Sequence, residues 1–300
     1  MVAAAERIAG RVRRTPVIEV EVDGRPVVLK LELLQHTGSF KPRGAFNRVL
    51  GAGAIPDAGV IAASGGNHGV AVAFVASALG VPAEIFVPEV SPAIKVEAIR
   101  RHGATARVGG ALYREALEAS RSRAAETGAL EVHAYDHPLT VAGQGTMTKE
   151  ITEQVPDVGE VLIAVGGGGL VSGGVAWLEG RTPVVAVEPT RSQALRAALD
   201  AGSPVDVDVA GVASDSLGAA SIGAVPWSVL QRHRPTSVTV PDDAIRDAQR
   251  WLWRHVRLVA EPGGATALAA MLSGRHTPRS DGRTVVVVCG ANTDPASVTG

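Results

Sequence analysis

Lys41 stands in TGSFKPRG, Thr37 to Gly44, just after the hydrophobic run Val27–Leu34. Taken alone, a lysine among small and turn-forming residues reads as a surface charge or as an amine placed for chemistry. Four consecutive glycines, Gly166–Gly169, precede Leu170. Glycines let a backbone approach a ligand and turn its N–H groups inward, and a following helix adds a positive dipole end, so this stretch is a candidate phosphate cradle. No lysine follows at the Walker position, and Val171 stands where a strict G-x-G-x-x-G needs its third glycine. A looser pattern, Gly167, Gly169 and Gly173, with Glu188 ending the next strand, keeps a nicotinamide-dependent oxidoreductase open. SGGNHG, Ser64 to Gly69, reads as a second anion-binding loop through Ser64, the backbone amides and Asn67, or as a plain turn capped by Asn67. Cys289 alone reads as a small buried hydrophobe. His68, His133 and His137 lack the paired spacing of a zinc site.

The elements that must carry these residues alternate. Short Val/Ile-rich runs at 27–33, 60–64, 83–88, 105–109, 131–135, 160–166, 183–188, 237–240 and 284–289 read as strands. Helical stretches at 67–79, 91–102, 111–127, 141–154, 170–180, 242–256 and 264–273 lie between them. Asp242–Asp243 after Pro241 marks a helix start, because acidic residues favour the positive end. Continuous apolar strands alternating with helices imply an α/β fold with parallel-type sheets covered on both faces. Nine strands are many for one open sheet, so two sheets are expected. Ligands of such folds sit beyond the carboxyl ends of strands. Small or polar residues follow nearly every run there, as one shared site requires.

The bulk numbers exclude several classes. The chain has 300 residues, 46% of them hydrophobic, with a net charge of −1. It should be globular, and it lacks the basic footprint of a nucleic-acid partner. The single cysteine excludes an internal disulfide. The start MVAAAERIAG lacks signal-peptide order, and no apolar run approaches ~20 residues, so a cytoplasmic location without membrane spans is expected.

Taken in order, KLELLQHTGSFKPRGAFN, SGGNHGVAVA, YDHPLTVAGQGT, VGGGGLVSG, AVEP, DSLGA, EPGGATALAA and CGAN resemble the fold-type II pyridoxal-phosphate enzymes, in particular the serine/threonine dehydratase and serine racemase group. The likeness runs from Lys30 to Asn292. It implies a tryptophan synthase β-like fold of two open twisted sheets with the cofactor in the cleft between domains. The large domain would span 1–51 and 138–300, and the small domain 52–137. Lys41 would form the Schiff base with pyridoxal 5′-phosphate, and Phe40 would lie against the cofactor ring. Gly166, Gly167, Gly168, Gly169 and Leu170 would hold the phosphate. Asn67 would meet the ring hydroxyl, Cys289 would face the pyridine nitrogen, and Glu261 would belong to the cofactor site. Ser64, Gly65, Asn67 and the backbone at His68 would take the substrate carboxylate. The implied activity is dehydration and deamination of L-serine or L-threonine to a 2-oxo acid and ammonia, by a homodimer acting on a small amino acid.

Three departures refine the resemblance. A thiol at the ring nitrogen, with an ordinary pKa near ~8.5, does not force a proton onto the ring and favours β-elimination over a long-lived carbanion. Racemases of the group carry a serine where this chain has Gly65. Some relatives bind a divalent cation through the glutamate of the EP pair and an aspartate six residues on; here Glu188 is a weak metal candidate because its counterpart is Ala194. The chain ends soon after CGAN, so an effector domain is not expected. A racemase, a β-replacement enzyme of the cysteine synthase kind and a hydroxy-aspartate dehydratase remain alternatives on the same fold, and a non-catalytic amino-acid binder is a further one.

Overall fold

Val17–Val22 (β1) and Arg25–Lys30 (β2) meet across Asp23–Gly24, whose φ values are 49° and 72°. Two successive positive φ values make the tight turn that matches the twist of an antiparallel hairpin, and Asp-Gly is its favoured sequence. The computed structural model describes residues 1–278 and 282–299. Its remaining strands are β3 (Val60–Ala63), β4 (Ala83–Val87), β5 (Thr105–Val108), β6 (Leu130–Glu131), β7 (Val158–Ala164), β8 (Val184–Pro189), β9 (Thr236–Val240) and β10 (Arg283–Val287). The helices are α1 (Val2–Arg7), α2 (Lys41–Leu50), α3 (Asn67–Leu79), α4 (Ala93–Arg101), α5 (Tyr113–Thr127), α6 (Pro138–Gln154) and α7 (Gly169–Leu178), followed by α8 (Ala194–Ala201), α9 (Ser214–Leu217), α10 (Ala224–Leu230), α11 (Asp242–Val256), α12 (Pro262–Leu272) and α13 (Ala296–Thr299).

Two sheets form, as expected. One has the order β1-β2-β10-β7-β8-β9 and is parallel except for β1; the other, β5-β4-β3-β6, is parallel throughout. Strands β7, β8 and β10 are buried along nearly all their length, because helices cover both faces. Each sheet has its own apolar cluster. The cluster of the smaller sheet also takes in Ile8 from just past α1 and Ala45, Phe46 and Val49 from α2. Helix α2 therefore packs beneath the smaller sheet while its other side meets α6.

Two expected strands are shortened, and two elements near them lie outside the expected ranges. Strand β1 lies outside the runs read as strands, although Asp-Gly between alternating residues carries its signal. The run 27–33 ends as a strand at Lys30, because Glu32 turns into a short 3-10 helix to reach buried cations. The run 131–135 is a strand only at its first residue: the His133 Nδ1 accepts the N–H groups of Tyr135 and Asp136, which takes them away from a sheet partner. Residues 41–50 are helical, and Pro42 sits in the first turn, where its missing N–H costs nothing.

A buried ion cluster fixes α2. Arg43 donates to both oxygens of Glu32, at 2.8 and 2.7 Å, and to Glu150 at 2.7 and 2.9 Å. Lys30 donates to Glu150, Gln154 and the Thr15 carbonyl, each at 2.8 Å. Burial by itself would raise the Glu32 carboxyl, but the Arg43 guanidinium beside it outweighs burial and holds it below the usual carboxylate range. Burial lowers the Lys30 amine. Removing one member leaves its partners charged and unpaired out of water. Glu32→Ala is expected to cost about 3–5 kcal/mol, read as a lower urea midpoint. Destabilisation under about 1 kcal/mol would show that the cluster does not anchor α2.

Candidate active site

The carboxyl ends of β2, β3, β7 and β10 open on one side, and the loops that leave them converge. The loop before α2 is stitched to the loop after β10. Phe40 N–H donates to the Cys289 carbonyl at 3.2 Å, Ala291 N–H to the Gly38 carbonyl at 2.9 Å, and Ser39 and Gly290 form an isolated antiparallel bridge. Thr37 takes a left-handed φ of 64°, which a β-branched residue adopts only under constraint. The constraint is Asn292, whose side-chain amide donates to the Thr37 carbonyl at 2.8 Å. These contacts set Lys41, at the first position of α2, beside Cys289.

The Lys41 amine donates to the Ala134 carbonyl at 3.2 Å and lies 5.0 Å from the centroid of the Phe40 ring. Burial lowers it to about 8, although Cys289 and Glu261 nearby act in the opposite direction. Burial pushes the Cys289 thiol up to about 12, with Glu261 adding to the rise, so it stays protonated; its Sγ donates to the Gly263 carbonyl at 3.5 Å. Glu261 immediately precedes α12 without a side-chain capping bond and is raised to about 7, chiefly by burial. One of its oxygens accepts from the Asn67 amide, and the other lies 3.5 Å from the Lys95 amine. The Asn67 carbonyl oxygen accepts from Asn292 at 2.8 Å.

The glycine run has the shape of a cradle. Gly168 has φ 92°, and Gly169 begins α7, so successive amides turn toward a helix start. A β-carbon at Gly167 would collide with the Tyr135 ring. Opposite this run, Ser64 and the following residues lead into α3. The Gly66 N–H donates to Ser64 Oγ at 3.1 Å, and His68 Nε2 pairs with the Val132 carbonyl at 2.7 Å. Burial drops His68 to about 3, with Lys41 contributing, so the ring is neutral. Beside Gly65 the Ser91 hydroxyl fills the space where a side chain would start.

The structure thus brings Phe40, Lys41, Ser64, Gly65, Asn67, His68, Gly166–Leu170, Glu261 and Cys289 to one end of the sheets. It leaves Glu188 out. Both Glu188 oxygens accept backbone N–H groups, from Leu195 at 2.7 Å and Arg196 at 2.9 Å, and the buried carboxyl is raised to about 7. It closes the start of α8, and both its oxygens are engaged there. The single residues Tyr135, Lys95 and Asp215 were not singled out from sequence. Tyr135 packs on the glycine run, and Lys95 joins Asp215 at 2.8 Å. No local pattern marks Tyr135 or Lys95; their roles come from tertiary contact alone.

A phosphorylated aldehyde cofactor fits these residues. The glycine run adds no side chain of its own, Ser39 Oγ is buried without a hydrogen-bond partner among the described residues, and the nearby Lys41 amine is lowered to about 8. Lys41 is therefore expected to react early. In cofactor-free protein, pulse acylation of Lys41 read by peptide mass spectrometry should rise with a midpoint near pH 8. A midpoint near ~10.4, that of an ordinary lysine, would contradict the dry environment.

Comparison with known proteins agrees with this geometry. The family described as pyridoxal-phosphate dependent enzyme matches residues 8–290. The L-threonine ammonia-lyase of Geobacter sulfurreducens is 37% identical over 98% of this chain and 75% of its own length. Maize serine racemase superposes with a TM-score of 0.92 at 30% identity, covering 99% of this chain and 94% of that one. A T.th. threonine deaminase superposes with a TM-score of 0.90 at 34% identity, covering 98% of this chain and 97% of that one. The lowered amine at the start of α2, the glycine run at the carboxyl end of β7 and these likenesses lead to one conclusion: the chain belongs to the pyridoxal-phosphate dependent enzymes.

Proposed function

We propose that the chain is an ammonia-lyase that dehydrates and deaminates L-serine and L-threonine. The observation that carries this reading is the pairing of an amine near pKa 8, Lys41, with a thiol that stays protonated, Cys289, in one loop junction. When bound, the cofactor supplies an electron sink that acidifies the substrate Cα–H and lets a β-hydroxyl leave. Every other role falls to the protein.

Lys41 would hold the cofactor through its Nζ and, when that amine is free, would take the proton from the substrate Cα. With its pKa lowered to about 8, roughly a tenth of the amine is unprotonated at pH 7, against under ~0.1% for an ordinary lysine near ~10.4. The amides of Gly166–Gly169 and Leu170 would hold the phosphate, Phe40 would pack against the ring, and Asn67 with Glu261 would hold its edge. The Cys289 thiol would face the ring nitrogen without delivering a proton to it. Ser64 and the amides from Gly65 to His68 hold the substrate carboxylate, and neutral His68 adds no competing charge. The enamine product reacts with water outside the site to give the 2-oxo acid and ammonia. In this reading residues 1–51 with 138–300 hold the cofactor, residues 52–137 supply the substrate-carboxylate loop, and the enzyme works as a cytoplasmic homodimer. No described helix is long and apolar enough to cross a membrane.

L-serine is expected to yield pyruvate and ammonia in equal amounts, and L-threonine 2-oxobutyrate and ammonia. Lys41→Ala should lower kcat by about 10²–10⁴-fold, the range lost with a general base. Conversion of L-serine to D-serine without ammonia would contradict the proposal, as would wild-type rates in the lysine variant.

A further inference from the structure

The short helix α9 is a wedge that touches every wall of the site. A β-carbon on Gly66 would lie 3.0 Å from the Asp215 carbonyl, and one on Gly166 would lie 3.1 Å from the Leu217 Cα. A β-carbon on Gly263 would run into the Ser216 hydroxyl, and the Gly263 carbonyl is the acceptor for Cys289. Helix α9 therefore borders the substrate-carboxylate loop, the phosphate cradle and the thiol at once. Its one acid, Asp215, keeps a side chain 35% exposed.

Asp215 and Glu261, the latter raised to about 7 by burial, share a single ammonium. Lys95, from α4 of the smaller sheet, donates to Asp215 at 2.8 Å and lies 3.5 Å from the buried Glu261 carboxylate. One ammonium thus faces two carboxylates. Lys41 is committed to the cofactor, and His68 is neutral. A substrate held by its α-carboxylate at Ser64–His68 would lie next to α9, where Lys95 is already paired.

We propose that Asp215 is a specificity-determining residue that excludes substrates with a second carboxylate and restricts the site to amino acids with uncharged side chains. The proposal rests on the placement of the substrate carboxylate at Ser64–His68 in the proposed function. It is independent of whether elimination follows. It sets neutral β-hydroxy amino acids apart from hydroxy-aspartate, which has the same leaving group and one more negative charge. The effect is repulsive, and like-charge juxtaposition in a partly dry site is a strong discriminator.

The test is titration of the holoenzyme with L-asparagine and L-aspartate, near-isosteric ligands that differ in side-chain charge, read by the change in cofactor absorption. The wild type should bind L-asparagine more tightly by about tenfold or more. Asp215→Asn should shrink that ratio about tenfold, Asp215→Glu should retain it, and added salt should shrink it in the wild type. A purely structural role for Asp215 would move both affinities together and leave the ratio unchanged by salt. Equal binding of the two ligands by the wild type, or the same ratio in Asp215→Asn, would overturn the proposal. Ammonia release from L-serine is measured in parallel on the same preparations. Its absence with the charge discrimination intact would defeat the lyase reading alone. Turnover of L-serine with no charge discrimination would defeat the role of Asp215 alone.

Discussion

An amine kept out of water is the constraint around which this chain is arranged. A lysine in solvent is charged and inert at neutral pH; burial disfavours the charged form and brings its pKa to about 8. Burial of Lys41 has to be enforced by structure, because desolvating an ammonium opposes folding. The enforcement is visible on either side of it. Before Lys41, the left-handed Thr37 and the Ser39–Gly290 bridge tie its loop to the loop after β10. After it, Arg43 locks α2 into the Glu32–Glu150–Lys30 cluster. The lysine is held between two fixed points only a few residues apart.

The second constraint is close approach. The cradle, the substrate-carboxylate loop and the start of α12 each come so near to α9, to Tyr135 or to Ser91 that a β-carbon would collide. Bare backbone at these places exposes amides to a ligand and lets loops of both sheets crowd one site. The ion pairs of Lys95 with Asp215 and Glu261 bridge the same crowding, since α4 belongs to the smaller sheet and the two acids to loops of the larger one. Binding, neutral thiol and desolvated base are consequences of this one convergence.

Much of the fold was legible in the sequence, because continuous Val/Ile runs and helical stretches alternate. The strands at 60–63, 83–87 and 184–189, and the helices at 67–79 and 242–256, lie where periodicity and punctuation put them. The reading failed where side chains override local pattern. His133 diverts amides from a strand, and Glu32 ends β2 early to reach Arg43. The candidate site was legible through motif order: the glycine run, Lys41, Ser64 and Cys289 each follow a strand and meet at one edge. Glu188 misled because its distance along the chain suited a ribose or a metal, while its oxygens cap α8. Lys95, Tyr135 and Asp215 depend on contacts between distant segments, which spacing along the chain does not encode.

The central claim is that Lys41, of the four lysines Lys30, Lys41, Lys95 and Lys149, is the one that carries the cofactor. Lys30 and Lys95 are buried more deeply than Lys41 but are held in ion pairs. The most direct measurement is to reduce the holoenzyme with borohydride, digest it and locate the pyridoxyl group by mass spectrometry. The account predicts the modification on the peptide containing Lys41, with loss of the visible absorption band. The modification on another lysine, or none after incubation with the cofactor, would contradict it.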